Sequence, residues 1–457
     1  MNHVENVKKR VKRALQVTPI GLALVALTAC GGITAPEVAP ELGNQTVTRY
    51  DYSLSVEITP QDTRADTEKR YGGDAVVWRP EAGFAVIGIQ SGELSTLSIG
   101  AEANRDMFSI PSVNMEAQGY SSWAGGYSSW AGGYSSWAGG YSSWAGGYSS
   151  WAGGTDAPAP TTFEENLGAW NQIKLAQGQA LAPNLGKGVK VAVIDSGVDV
   201  YHPALRDKLA PAGEWKDFID GDAFPFDEYD YAPGASNAGH GHGTGVAGVI
   251  LQVAPEATIL PIRVLKPDGS GDITDVARAV DWAVQQGADV INLSLGAHVD
   301  SYTIYLTMHY GAQYDVYFTA SSGNSGDERV TYPAMMAPDN IPGNLGALGR
   351  NLVSVGSVDN EGKKSVFSTY GSTIELVAPG EQIYTLMPDN RIAYRTGTSF
   401  AAPMAAGTLA LALGELGENY DGNLSVLSHQ NSSPRDQLEP GQLDVRKFMQ
   451  RALQAAR

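Results

Sequence analysis

The chain has only one cysteine, Cys30, among its 457 residues. A single cysteine cannot form an intramolecular disulfide, so the stability of the fold depends on its core, its ions and its packing. Basic residues are also scarce, because 31 Lys and Arg stand against 49 Asp and Glu and leave a formal net charge of −18. An acidic surface repels nucleic acid, and we therefore expect no nucleic-acid partner.

The beginning of the chain lacks an apolar run long enough to cross a membrane. Residues 17–29 form a short apolar segment that follows a cluster of basic residues at 8–13, which is typical of a signal peptide over 1–29. Residues 27–30 (LTAC) resemble the lipobox of bacterial lipoproteins, in which the cysteine is lipidated and becomes the new N-terminus. We predict lipidation at Cys30, which would anchor the chain outside the cytoplasmic membrane. The alternative is ordinary cleavage after Ala29.

Residues 120–154 are five identical copies of YSSWAGG. Two glycines in each copy disfavour a helix by roughly 2 kcal/mol per repeat, and the odd period would turn the aromatic side chains of a strand to alternating faces. We predict a flexible linker over 118–161, separate from a tether at 30–46. The repeats could instead be an aromatic surface for glycans, cell wall or a partner, or a segment open to proteolysis.

Two patterns of secondary structure occupy the rest of the chain. Residues 47–117 contain alternating, strand-like runs and one charged, helix-like run, which predict a small α+β domain. Residues 162–457 alternate strands and helices, as in the amphipathic run 273–287 that leads into an apolar run at 288–295. This order predicts an α/β fold with a mostly parallel central sheet.

Three residues in the larger region suit nucleophilic catalysis. Ser399 lies in a small-residue turn directly before an Ala-rich helix, where free backbone N–H groups favour negative charge. A nucleophilic serine needs a base, and the base needs an orienting carboxylate. His242 opens a helix at a glycine-rich turn, and Asp195 ends an apolar strand. Taken singly, Ser399 and Asp195 could each be no more than capping residues.

Five segments resemble the signature motifs of the subtilisin-like serine proteases, in the order of that family: VAVIDSGVD (191–199), HGTGVAG (242–248), VINLSLG (290–296), SSGNSG (321–326) and GTSFAAPMAAG (397–407). The resemblance covers roughly residues 162–457 and implies a subtilisin-like three-layer fold. It implies that Ser399 is the nucleophile, His242 the general base and then acid, and Asp195 the residue that orients His242.

The same resemblance implies further roles around the serine. Asn324 would donate its side-chain amide to the oxyanion, beside the backbone N–H of Ser399. Ser294, Leu295 and Gly296 would form one edge of the groove that holds an extended peptide. By placement and pattern, residues 47–117 resemble the family's propeptide, which assists folding and blocks the groove. An unrelated extracellular domain is the alternative for this segment.

An acidic cluster at 217–230 resembles a calcium loop of thermostable members of the family. Asp217, Asp220 and Asp222 would be the ligands, because Ca²⁺ prefers oxygen donors. Phe226 stands where that pattern has a polar ligand, which weakens the match. The alternative is a solvated acidic loop.

Four other features bear on the site. His240 is expected to be a loop residue near the site rather than a metal ligand, and His202 a packed histidine. Gly245 stands where the family usually has a histidine after His-Gly-Thr, which predicts a local change in packing without loss of activity. The stretch 334–350 is longer than expected and could rim the groove.

The sequence thus predicts a secreted or envelope-anchored serine endopeptidase that acts through an acyl-enzyme and needs no catalytic cofactor. Its partners would be protein or peptide substrates, its own propeptide, and a membrane through the lipidated Cys30. Self-cleavage between about residues 105 and 165 would separate the enzyme from its anchor. The competing function is a catalytically silent surface protein of the same fold, which binds partners or glycans through its repeats.

Overall fold

A computed structural model of the chain describes residues 47–93, 100–110, 163–337, 348–417, 420 and 441–456. The signal peptide at 1–29, the lipidation site Cys30, the tether at 30–46 and the YSSWAGG repeats all lie outside the described residues. Residues 338–347 of the long connection do so too. The predictions for these segments stay predictions.

The N-terminal unit is an antiparallel sheet with one helix. Its elements are β1 Tyr52–Glu57, α1 Arg64–Tyr71, β2 Asp74–Arg79, β3 Phe84–Ile89 and β4 Glu102–Ala103. The strands lie side by side in the order β2-β3-β1-β4. The Thr63 hydroxyl caps α1 by accepting the N–H of Asp66, and Leu54, Ile87 and Ile89 are buried in the core of the unit. A further short strand, β5 Phe108–Ser109, follows outside this sheet.

The larger region is built on strands joined by helices. Its strands are β6 Lys190–Asp195, β7 Lys216–Asp217, β8 Thr258–Arg263, β9 Ser270–Gly271, β10 Val290–Leu293, β11 Tyr317–Ser321, β12 Leu352–Val358, β13 Leu376–Pro379, β14 Ile383–Met387, β15 Arg391–Arg395 and β16 Gly441–Gln442. Its helices are α2 Leu167–Gln172, α3 Leu175–Gln179, α4 His242–Val253, α5 Ile273–Gln285, α6 Tyr302–Gln313, α7 Leu348–Asn351, α8 Thr398–Leu416 and α9 Val445–Ala455.

Eight of these strands form a parallel sheet in the order β16-β13-β12-β11-β10-β6-β8-β7. Alternate residues of each strand face opposite sides, as the period of two requires. In β6, Val191 and Val193 join the core beneath α4, α8 and α9, whereas Ala192 and Ile194 join the core beneath α5 and α6. Helices therefore cover both faces, and the predicted three-layer α/β fold is confirmed.

Helix α8, which carries the predicted nucleophile, is long and apolar. Within the described residues it alone is long and apolar enough to cross a membrane, yet 78% of its apolar window is buried inside the protein. The helix packs against α4 and the sheet. It is therefore a core helix, and its alanine-rich composition lets it approach its neighbours closely.

Candidate active site

Asp195 and His242 meet at the carboxyl edge of the sheet. Asp195 ends β6 and His242 begins α4. The close approach requires glycine at position 243, because a Cβ there would lie 2.1 Å from the carbonyl oxygen of Gly197. The Nδ1 atom of His242 lies 2.7 Å from Asp195 Oδ1, which also accepts the N–H of Ser196 at 2.7 Å. Both side chains are buried, so the carboxylate holds the imidazole by its Nδ1 edge.

Ser399 lies in the first turn of α8 at the same edge. Its Oγ donates to the carbonyl oxygen of Ser294 at 3.2 Å. The buried Nε2 of His242 has no hydrogen-bond partner in the described part of the chain. Hydrogen bonds between a nucleophile and its base are often loose before substrate binds and tighten in the complex. The Nε2 edge of His242 is thus the side available to receive a proton.

A proline inside α8 shapes the turn around Ser399. Pro403 has no N–H and cannot donate to the carbonyl of Ser399 four residues earlier. The hydroxyl of Ser294 donates to that carbonyl instead, at 2.8 Å. Asn292 Nδ2 in turn donates to Ser294 Oγ at 2.9 Å. The predicted nucleophile is therefore tied to the end of β10.

Asn324 lies beside the same turn. Its Oδ1 accepts both the backbone N–H and the hydroxyl of Thr398, each at 2.9 Å. These two contacts identify the acceptor end of the side-chain amide, so Nδ2 is its donor end. The residue is buried and contacts the neighbour of Ser399, an arrangement that suits the predicted donation to an oxyanion.

Replacement of Asn324 tests this donation. We expect Asn324→Ala to lower kcat by about 10²–10³-fold with little change in KM, the range known for a side-chain oxyanion donor in subtilisin. Asn324→Asp keeps the acceptor for Thr398 but loses the donor, so it should be similarly impaired. Steady-state kinetics on a peptide amide measure both. A kcat within twofold of wild type in both variants would contradict the role.

The predicted groove edge holds part of the N-terminal unit. The N–H of Ser109 donates to Gly296 O at 3.0 Å, and the N–H of Gly296 donates to Ser109 O at 2.9 Å. On its other side β5 pairs antiparallel with β9, and the N–H of Ile110 donates to Gly269 O at 3.1 Å. Residues 108–110 thus lie as a strand between two segments of the larger region, in the way an extended peptide would bind.

The acidic cluster at 217–230 contacts a buried arginine from the neighbouring strand. Arg263 ends β8, and its side chain is 1% exposed. Its Nη1 lies 3.0 Å from Asp217 Oδ2 and 2.7 Å from Asp220 Oδ2, and its Nη2 lies 2.9 Å from Glu228 Oε2. Burial raises the pKa of Asp217 to about 6, and the charge of Arg263 opposes that rise.

These contacts do not fit a calcium site at Asp217, Asp220 and Asp222. Asp217 uses Oδ1 to accept the N–H groups of Ile219 and Asp220 and Oδ2 to bind Arg263. Asp222 Oδ1 accepts the N–H of Phe224. No group of three or more His, Cys, Asp or Glu suited to a metal occurs in the described ranges. The guanidinium supplies the positive charge that the prediction assigned to Ca²⁺.

The other predicted residues occupy the expected surroundings. His202 is buried, and its Nδ1 accepts the N–H of Ala204. His240 lies in the loop before α4, with Nδ1 3.1 Å from Glu228 O. At Gly245 a Cβ would lie 3.2 Å from the ring of Phe400, and that ring packs edge-on against His242 with centroids 5.4 Å apart. Phe400 therefore lies between Gly245 and the ring of His242 as a close neighbour of both.

Two residues of the site were not predicted from the sequence. Arg263 ends a strand directly beside Asp195 in the parallel register, and a charged residue at that edge was the available signal. Asp227 is one acid of the cluster at 217–230, and nothing in the sequence around it indicates that it accepts the N–H of Gly241 in the turn before His242.

Comparison with known proteins shows that residues 186–430 match the sequence profile of the subtilase family. Thermitase from Thermoactinomyces vulgaris is 36% identical over 236 residues, 50% of this chain and 75% of thermitase. Subtilisin BL from Lederbergia lenta is 35% identical over 235 residues, 50% of this chain and 76% of that protein. A solved structure of a cold adapted subtilisin-like serine proteinase has 29% identity, covers 57% of this chain and 89% of its own, and gives a TM-score of 0.46.

Proposed function

Because this chain belongs to the subtilase family and is a serine endopeptidase, we propose that Asp195, His242 and Ser399 are its catalytic triad. The main support is the 2.7 Å contact between His242 Nδ1 and Asp195 Oδ1 at the edge of the sheet where Ser399 lies in the first turn of α8. The family needs no catalytic cofactor. The chemistry then comes from these side chains and from the hydrogen-bond donors around them.

In this proposal Ser399 Oγ attacks the carbonyl carbon of the scissile peptide bond while His242 Nε2 takes the hydroxyl proton. The oxyanion of the tetrahedral intermediate is bound by the backbone N–H of Ser399 and the Nδ2 of Asn324. His242 gives the proton to the leaving amine, and an acyl-enzyme on Ser399 remains. Water, deprotonated by His242, then hydrolyses the ester. Asp195 holds the imidazole and stabilises its charged form.

We further propose that the N-terminal unit is a propeptide that blocks the groove. Residues 108–110 lie between β9 and Gly296 where a substrate strand would pair. The unit is also held by charge on α5. Arg79 forms two hydrogen bonds with Asp281, at 2.6 and 2.7 Å, and Arg49 Nη1 lies 2.8 Å from Asp275 Oδ2. The N-terminal unit is therefore held against the larger region at two places, at the predicted groove and on α5.

Loss of one of these ion pairs should release the enzyme sooner. Truncating one partner of a largely buried, hydrogen-bonded charge pair costs about 2–5 kcal/mol of binding. Arg79→Ala in the full-length chain is therefore expected to shorten the lag before casein hydrolysis at least several-fold. Arg70 is exposed, and its ion pair with Asp62, at 3.7 Å, is longer and lies within the N-terminal unit itself. Arg70→Ala is therefore the matched control. Identical lags for wild type and Arg79→Ala would count against the docking role.

We propose that the protein is exported, anchored through Cys30, and released when it cleaves itself between about residues 105 and 165. The experiment is to label purified wild-type protein with a fluorescent fluorophosphonate and to sequence the N-terminus of the labelled species. A labelled species that begins within that interval supports the processing. A labelled species still continuous with Cys30 refutes the processing but leaves the protease assignment intact.

The competing function is tested by the same reagent. A silent surface protein that binds through its YSSWAGG repeats would neither react with the fluorophosphonate nor hydrolyse casein. The repeats lie outside the described residues, and we propose no more for them than a spacer between anchor and enzyme.

A further inference from the structure

Asp227 is a buried carboxylate near the catalytic histidine that the triad mechanism does not use. Its side chain is fully buried, and it lies 15 residues before His242 in the chain. Its Oδ1 accepts the N–H of Gly241 at 2.7 Å, and its Oδ2 accepts the hydroxyl of Thr244 at 2.6 Å and the N–H of Thr244 at 3.2 Å. Gly241 directly precedes α4, which begins at His242, and Thr244 lies in the first turn of that helix.

The same carboxylate reaches the segment that carries Asp195. The hydroxyl of Ser196 lies 3.4 Å from Asp227 Oδ1. Ser196 also donates its N–H to Asp195 Oδ1 at 2.7 Å, and its hydroxyl accepts the N–H of Gly243 at 3.1 Å. One buried acid therefore joins the end of β6 to the start of α4, which are the two elements whose side chains form the Asp195–His242 pair.

We propose that Asp227 is a positioning residue that holds the first turn of α4 against the end of β6 and so sets the orientation of His242 relative to Asp195. It acts through Gly241, Thr244 and Ser196, and it touches no reacting atom. The inference rests on the serine-protease function assigned above.

A carboxylate suits this position better than any neutral side chain. The N–H groups of Gly241 and Thr244 stand at a helix N-terminus, where backbone N–H groups have no acceptor within the helix and the helix dipole favours negative charge. A carboxylate accepts at both oxygens, whereas an amide at this position would turn an NH₂ group toward one set of donors. Asp227→Asn therefore keeps the shape of the side chain and replaces attraction with a donor–donor conflict on one side.

The charge of Asp227 should also affect the acid limb of the activity profile. Burial raises the pKa of Asp227 to about 6, while the donors at Thr244 and Gly241 and the nearby His240 oppose the rise. The titratable groups that face it are His240, whose Nδ1 lies 3.8 Å away, and Asp195, which shares Ser196 with it. Glu228, next in the chain, is bound to Arg263. As pH falls through about 6, protonation removes one acceptor and should loosen the turn that carries His242.

The test compares Asp227→Asn with the matched control Asp230→Asn in the full-length chain. Asp230 is exposed in the same loop and contacts none of the residues that hold the triad. We expect Asp227→Asn to lower kcat by about 10–100-fold, the loss typical of a displaced catalytic group, with KM within about twofold of wild type. The fall of kcat at low pH should become shallower in this variant, because the ionisation of Asp227 no longer contributes to it. Asp230→Asn should match wild type in both readouts.

A second pair of variants covers the case in which Asp227→Asn does not fold. Thr244→Val removes the hydroxyl that donates to Asp227 at 2.6 Å and accepts the N–H of Asp199 at 3.0 Å, and Thr244→Ser restores both hydrogen bonds. We expect Thr244→Val to lower kcat and to shift the downfield proton resonance of His242 Nδ1–H, and Thr244→Ser to recover most of both. A purely structural role would lower thermal stability without moving this resonance or the slope of the acid limb.

The outcomes separate this inference from the function itself. Absence of fluorophosphonate labelling in the wild type would remove both. Normal wild-type activity together with an unchanged kcat and acid limb in folded Asp227→Asn would overturn the positioning role alone. An unchanged Nδ1–H resonance and kcat in Thr244→Val would overturn it as well.

Discussion

Ser399→Ala is expected to lower kcat for casein or a peptide amide by about 10⁶-fold, which is the size of the loss known for the nucleophile of subtilisin. The alanine keeps the turn at the start of α8, because the hydrogen bond from Ser294 Oγ goes to the backbone carbonyl of residue 399 and not to its side chain. Only the hydroxyl that donates to Ser294 O is lost. The variant should therefore fold and bind substrate while no acyl-enzyme can form.

The measurement is steady-state hydrolysis with fluorophosphonate labelling as a second readout. The exposed Ser372 supplies a matched control, and Ser372→Ala should keep wild-type kcat and labelling. Ser399→Ala should accumulate as the unprocessed chain, because self-cleavage needs the same nucleophile. Retention of even one hundredth of wild-type activity in a preparation free of host proteases would contradict the assignment of the nucleophile.

Arg263→Met is expected to lower the stability of the folded protein strongly. Removing one partner of a buried ion pair leaves the other charge unpaired in the low-dielectric interior of the protein, at a cost of about 3–5 kcal/mol. Asp217 determines this cost, since it is as fully buried as Arg263. Asp220 and Glu228 are about half exposed and are screened by water. Thermal unfolding at a fixed scan rate should show a Tm about 10 °C lower.

The deficit of Arg263→Met should depend on pH in a defined direction. The folded-state pKa of Asp217 is already raised by burial to about 6, and loss of Arg263 raises it further. A carboxyl group whose pKa is higher in the folded than in the unfolded state favours folding more as pH falls. The Tm difference between variant and wild type should thus be smaller near pH 5 than near pH 8.

A matched control and a chelator complete this test. Arg206 is exposed and lies 3.7 Å from Asp207, so Arg206→Met should leave Tm nearly unchanged. If Arg263 supplies the charge in the acidic loop, Asp217→Asn should be destabilising whether EDTA or Ca²⁺ is present. A loss of stability in Asp217→Asn that appears only when calcium is present would favour the calcium site instead.

The positions of Asp195, His242 and Ser399 at the ends of their strand and helices could be predicted, because the sequence patterns that indicate them span only a few neighbouring residues. The apolar run that ends at Asp195, the glycine-rich turn before His242 and the small-residue turn before Ser399 each set their own backbone conformation. Parallel strands place their carboxyl ends on one edge, so the three residues are expected near one another once the βαβ order is known. Helix α5 was predicted over 273–287 and ends at Gln285, near the left-handed Gly287.

The acidic residues at Asp217, Asp220 and Asp222 could not be assigned from local sequence. A run of aspartates fits a metal site and a guanidinium partner equally well, because both cations need several carboxylate oxygens directed at one point. The choice depends on Arg263, which lies 46 residues from Asp217 in the chain. It reaches the loop only because β7 pairs with the end of β8.

By itself the sequence therefore determined the fold class, the order of the elements and the residues suited to the chemistry, since periodicity and turn composition act over a few neighbouring residues. Only the tertiary structure decided what surrounds these residues: the strand at 108–110 between β9 and Gly296, Arg263 among the carboxylates, and Asp227 between β6 and α4. These contacts join residues far apart in the chain. Their geometry follows from strand register and helix packing, and no local pattern encodes it.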